Sequence, residues 1–185
     1  MSCALTKGRA EVCKDAIGGL KNIYFANFVI DTAAITYDST DTDVIDAVTG
    51  VSDLYKYELK GVNSFTQTIN SSRDTGTTFF DQVLSVEFKK QDVGTSKEIK
   101  LLSYGRPHII IQDNNDNFFI AGLLRGCDVT AGEISTGAAL GEMSGYKLTF
   151  TGQEKTYANF LDCTSQATLA TLFATGGTDA TIVAS

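Results

Sequence analysis

Hydrophobic and polar positions alternate along most of this chain, and the alternation defines its elements. From Tyr146 the order Tyr, Lys, Leu, Thr, Phe, Thr sends Tyr146, Leu148 and Phe150 to one face and Lys147, Thr149 and Thr151 to the other. A period of two is that of a half-buried β-strand, here 145–152. The same period runs through 54–61, where Tyr55, Tyr57 and Leu59 alternate with Leu54, Lys56, Glu58 and Lys60. It recurs in 64–70, where Phe65, Gln67 and Ile69 oppose Thr66 and Thr68. Residues 20–30 (LKNIYFANFVI) form a strand too apolar to leave one face in water. Further strands are expected at 34–38, 79–90, 108–112, 118–126 and 127–134. Residues 71–78 (SSRDTGTT) lack apolar content and periodicity, and read as the mobile polar loop of a long hairpin joining 64–70 to 79–90.

One helix is clearly signalled. Thr95 and Glu98 have capping-box spacing, Ile99, Leu101, Leu102 and Tyr104 follow, and Gly105 ends the run, giving a helix over 95–104. Pro107 then opens a strand that does not need its amide. A short second helix is expected near 165–173. Many short strands with a helix between two of them indicate a mainly β fold, a β-sandwich or open barrel with one flanking helix. The division expected is an N-terminal arm (1–19), a β domain (20–163) and a C-terminal extension (164–185).

Composition narrows the partners. Twenty-two acidic and 15 basic side chains give a formal charge of −7 in 185 residues. A surface of that sign repels nucleic-acid phosphates and anionic membranes. At this length a core can form without metal or disulfide staples. The cysteines at 3, 13, 127 and 163 show no C-x-x-C spacing, and the single histidine, His108, is far from each in sequence. Free thiols in a reducing compartment are therefore expected, not a zinc site. The N-terminus carries no apolar signal-peptide run and no segment has the length of a membrane span, so synthesis in a cytoplasm is expected.

Chemical motifs fail one after another. In DNNDN, Asp113, Asn115 and Asn117 match the first alternate positions of a calcium loop. Phe118 and Leu124 stand where its glycine and closing glutamate belong, and a hairpin turn is the better reading. In GEMSG (141–145), Ser144 holds the fourth position and precedes a strand, unlike a nucleophile elbow. Asp38, Asp41, Asp43 and Asp46 cluster within turn-forming Ser-Thr-Asp sequence, and read as a solvated loop more readily than as paired carboxylates. Phosphate-binding glycine patterns are missing. The chain reads as no enzyme, with no catalytic, cofactor-binding or metal residues and no cofactor.

The order of parts nevertheless resembles a known family. A long first strand, a hairpin with an extended polar loop (64–90), a capped helix and further strands closing on GEMSGYKLTFTGQEKTYANFL are similar to the tail-tube proteins of long-tailed bacteriophages. ALTKGRAEVCKDAIGGLKNIYFANF looks like segments of such proteins from phages infecting Bacteroidetes. The resemblance covers most of residues 1–163. It implies a β-sandwich subunit that forms stacked, six-membered rings in the virion tail, a tube through which DNA passes without specific binding. It also implies contacts to other tail components (tape measure, terminator, baseplate), and no membrane partner or catalytic residue. Residues 1–19 and 71–78 are the candidate ring-spanning segments. The alternatives are another ring-forming virion protein, such as a tail terminator or head–tail connector, or a β-sandwich module binding glycan or protein.

Overall fold

The computed structural model describes residues 5, 7–11 and 13–184. Twelve strands fall into two sheets, with strands over 44% of the chain and helix over 12%, so the protein is mainly β as expected. The large sheet contains β1 (Leu20–Ala26), β2 (Ile35–Tyr37), β3 (Val44–Val48), β4 (Asp53–Glu58), β7 (His108–Asp113), β8 (Phe118–Ala121), β11 (Asn159–Leu161) and β12 (Thr181–Val183). Its order is β12-β4-β1-β7-β8-β11-β3-β2. The small sheet, β5-β6-β10-β9, is built from β5 (Ser64–Ser72), β6 (Thr77–Lys89), β10 (Gly145–Glu154) and β9 (Asp128–Ser135). Helix α1 spans Val93–Tyr104 and α2 spans Gln166–Leu172.

Chain connectivity forces the large sheet to roll. Strands β3 and β4 are joined by residues 49–52 alone, yet five strand spacings separate them in the sheet. Laid flat, that is about 24 Å at ~4.8 Å per spacing. A linker of that length reaches only about 18 Å at ~3.6 Å per residue. Curvature closes the difference. The inner face of the roll accordingly forms one cluster, with Leu54, Tyr24, Ile110, Ile120, Leu161 and Ile45 coming from six different strands. Leu169, Leu172 and Phe173 of α2 and its C-terminal end fill it.

The outer face of the central strands is apolar as well. Ile23 and Phe25 of β1 and Ile109 and Ile111 of β7 pack in a second cluster with Leu84, Val86, Tyr146, Leu148 and Phe150 from the small sheet. Residues 23–26 are thus buried on both faces, which is why β1 shows no alternation. In β10 the alternation is clean: Tyr146, Leu148 and Phe150 are buried, whereas Lys147 is exposed and Thr149 and Thr151 lie in between.

Five expectations are corrected. Residues 71–78 are not a long loop: β5 runs to Ser72, β6 resumes at Thr77, and only Arg73–Gly76 turn, with Gly76 at φ +66°. Both faces of this hairpin end face solvent, so pairing leaves no apolar period, and the hydroxyls of Ser71 and Thr78 meet across it at 3.0 Å. Helix α1 begins at Val93, because Asp92 is the N-cap: its carboxylate accepts the Thr95 N–H at 2.9 Å. Glu98 makes no reciprocal bond. Strand β1 stops at Ala26 and β8 at Ala121, short of residues 30 and 126. The acidic stretch after Asp38 contains β3, whose Ile45 and Val48 are fully buried. The region set apart as 164–185 supplies α2 to the inner core and β12, which pairs parallel with β4.

Candidate assembly surface

The residues proposed for chemistry are structural where the fold places them. His108 is fully buried, its Nδ1–H donating to the Gly122 carbonyl at 2.7 Å and its Nε2 accepting the Ile30 N–H at 3.3 Å. Phe28 stacks on the ring at 4.9 Å. Burial pushes the imidazole pKa down, against a smaller upward effect of the Gly122 hydrogen bond. The Asp113 carboxylate accepts from the backbone N–H of Asn115 and Asn117 at 2.8 Å each, closing the β7–β8 turn with Asp116 at φ 59°. Asn115 in turn holds Ile17, accepting its N–H at 2.9 Å and donating to its carbonyl at 2.8 Å. The calcium-like sequence is thus a hairpin turn to which the end of the N-terminal segment is tied.

The aspartate cluster is a turn likewise. Asp38 accepts the N–H groups of Thr40 and Asp41 at 2.7 Å, and Asp41 accepts that of Asp43 at 3.2 Å. Ser144 lies in extended chain just before β10, its carbonyl accepting the Lys90 N–H at 2.7 Å. Among the described residues no group of three or more His, Cys, Asp and Glu side chains is placed to hold a metal. Cys127 and Cys163 are buried, and burial, with nearby carboxylates, pushes both thiols up to about 12. Arg73 and Asp74 sit in the hairpin turn and form no ion pair among the described residues.

The small sheet carries the features without an internal role. Its two outer strands, β5 and β9, are each paired on one side only. Strand β9 offers eight residues (DVTAGEIS) with neither proline nor lysine to block a new partner. Within it Ile134 is 61% exposed, and Leu140 in the following loop is fully exposed. That loop is braced by Glu142, whose carboxylate accepts the N–H groups of Ala138 and Ala139; these bonds hold its pKa down.

The face of this sheet turned away from the core is polar. Lys147 stands between Glu87 and Glu133 and donates to Glu87 at 3.0 Å, which raises the lysine pKa. Thr130 and Thr151 share a hydrogen bond at 2.9 Å, and Asp81 accepts from Asn70 at 2.5 Å and from Gln153 at 2.8 Å. With Lys89 and Asp128, which alternation and register place on the same face, four carboxylates stand against two lysines and the face is acidic. Sequence reasoning missed the two open edges, because strand order is not legible in local periodicity. Comparison with known protein families, curated proteins and solved structures yields no match.

Proposed function

We propose that this chain is a structural subunit that assembles with copies of itself into rings stacked as a tube, the tail-tube protein of a bacteriophage virion. The observation that carries the reading is the small sheet, which combines two unpaired edges with a polar, acidic outer face. Edges of eight and nine residues can join β9 of one copy to β5 of the next, which is a head-to-tail contact and closes into a ring when the rotation allows. The outer faces of the joined sheets then line a channel whose negative charge lets DNA pass without adhering. The β5–β6 hairpin end and residues 1–19 reach between rings, and the tube ends contact other tail components. Within this reading the fold is a β-sandwich of the small sheet on the rolled large one.

Negative-stain microscopy and light scattering over a concentration series test this. Rings or tubes growing in with concentration are expected; a monomer at every concentration would refute it. A second reading, a binding module, is favoured by a groove of about 430 Å³ between α1 and β1, lined by Phe25, Phe28, Tyr55, Tyr57, Leu101 and Arg106. A glycan array reads it out, and specific binding by the monomer would favour it over the tube.

A further inference from the structure

Unpaired charge of opposite sign gathers at two places along the large sheet, beside β4 and beside β3. Lys56, Lys60, Lys89 and Lys90 line one cleft of about 410 Å³, where β4 and the chain after it meet the end of β6. Glu58 in this cleft is matched by Lys56 at 3.3 Å, and Glu87 by Lys147 at 3.0 Å. Asp92, also in the lining, is the N-cap of α1 and lies within the field of Lys90, which leaves Lys60 and Lys89 as the freest cations. Lys60, Lys89 and Lys90 have no carboxylate within 4.0 Å among the described residues. Four of the chain's 15 basic residues thus share one concavity on a protein of net charge −7.

Strands β2 and β3, with the loop between them and the residue after β11, carry Asp38, Asp41, Asp43, Asp46 and Asp162. None of the five is in an ion pair among the described residues. Desolvation, then the carboxylates of Asp38 and Asp162, raises the Asp46 pKa, so like charges crowd here without a cation to relieve them. Patches of opposite sign on one copy can meet their complements on another, and the contact repeats head to tail within the proposed assembly.

We propose that the lysine cleft receives the aspartate corner of a second copy of this chain, forming a head-to-tail electrostatic contact. The proposal rests on the self-assembly reading and assigns two of its contacting surfaces. Charge complementarity identifies the occupant: the corner presents several carboxylates on a short rigid turn, and the cleft presents ammonium groups without internal partners. Contacts of this kind speed encounter and fix orientation, and they weaken as salt screens them.

Charge reversal tests it. A cleft variant carries Lys60→Glu and Lys89→Glu; a corner variant carries Asp46→Lys and Asp162→Lys, exposed positions outside the turn hydrogen bonds. Circular dichroism establishes that each variant is folded, and light scattering gives the concentration of half-assembly. Each variant alone is expected to raise that concentration about tenfold or more, as is a change from ~0.05 to ~0.5 M salt for the unaltered protein. An equimolar mixture, and a single chain carrying all four changes, are expected to restore assembly to within about threefold, because every contact is then complementary again. If the unaltered protein assembles and folded variants assemble equally well, or reversal in both partners restores nothing, this contact is wrong while the tube reading stands. A protein that never leaves the monomer overturns both.

Discussion

Lowering the pH from 7 to 5.5 should destabilise the protein through one side chain, His108. It is the sole histidine, fully buried under Phe28, and its two nitrogens are committed to opposite roles. Nδ1–H donates to Gly122, while Nε2 must remain unprotonated to accept the Ile30 N–H. A second proton would both charge a desolvated ring and set two donors against each other, so the folded-state pKa lies below the unfolded value of about 6.5. Because the native value is the lower one, the stabilisation is complete above pH 6.5 and is lost as the pH falls toward the native pKa. The slope in that window approaches ~1.4 kcal/mol per pH unit. Because the unfolded ring is half protonated at pH 6.5, the loss from pH 6.5 to 5.5 has an upper bound of about 1 kcal/mol, a fall in Tm of at most roughly 2–4 °C for a chain of this size. The lowered carboxylates Asp92, Asp116 and Glu142 lose their contribution below the ordinary carboxylate range, and Asp46, whose pKa is raised, acts in the opposite sense, so the histidine's part is read as the difference in slope from His108→Gln. Urea unfolding followed by circular dichroism, on dilute monomer at pH 7.0, 6.5, 6.0 and 5.5, measures the slope. His108→Gln should be less stable throughout and flat across this range. A flat profile for the unaltered protein, or an equal slope in the variant, would refute the reasoning.

Two substitutions probe the small sheet and its support. A Cβ at Gly145 would stand 2.1 Å from the Phe88 carbonyl oxygen, so Gly145→Ala must push β10 off β6; a loss of about 3 kcal/mol in chemical denaturation is expected. Glu154 is buried and accepts the Leu124 and Arg125 N–H groups at 2.8 Å each, holding the turn that follows β8. Glu154→Ala should cost about 3 kcal/mol by orphaning both donors, and Glu154→Gln, which keeps an acceptor there, markedly less in the same assay.

What the sequence disclosed follows the physics of each element. Strands with one wet face, such as β10, print a period of two. β1 prints an apolar run because Ile23 and Phe25 face the small sheet while Tyr24 and Ala26 face α2. Three short strands escaped notice. β3 is hidden among aspartates, and β11 and β12 are three residues long, held by neighbours distant in sequence. The start of α1 was misplaced because Thr95 and Glu98 have the spacing of a capping box, while Asp92 makes the capping bond. The reciprocal box occurs in α2, between Ser165 and Thr168. The open edges of the small sheet were the least legible, since they are defined by the partners that β5 and β9 lack.

That lack has a cause in the architecture. Eight strands rolled around α2 bury their inner face completely, and the short linker from β3 to β4 keeps the roll tight. Four strands are too few to close on themselves, so the small sheet covers the outer apolar face of the large one and keeps both its edges. An edge left this way is a liability unless something pairs with it, and natural edges are ordinarily blunted by proline, lysine or a covering loop. Strand β9 has no proline or lysine, the Gln91 side chain caps only the Ser135 carbonyl at its end, and its one irregularity is the register shift at Thr130. Strand β9 therefore presents a free edge that carries the exposed Ile134, with Leu140 exposed in the loop after it, and under the proposed assembly a second copy of the chain would bring the open edge of β5 to it.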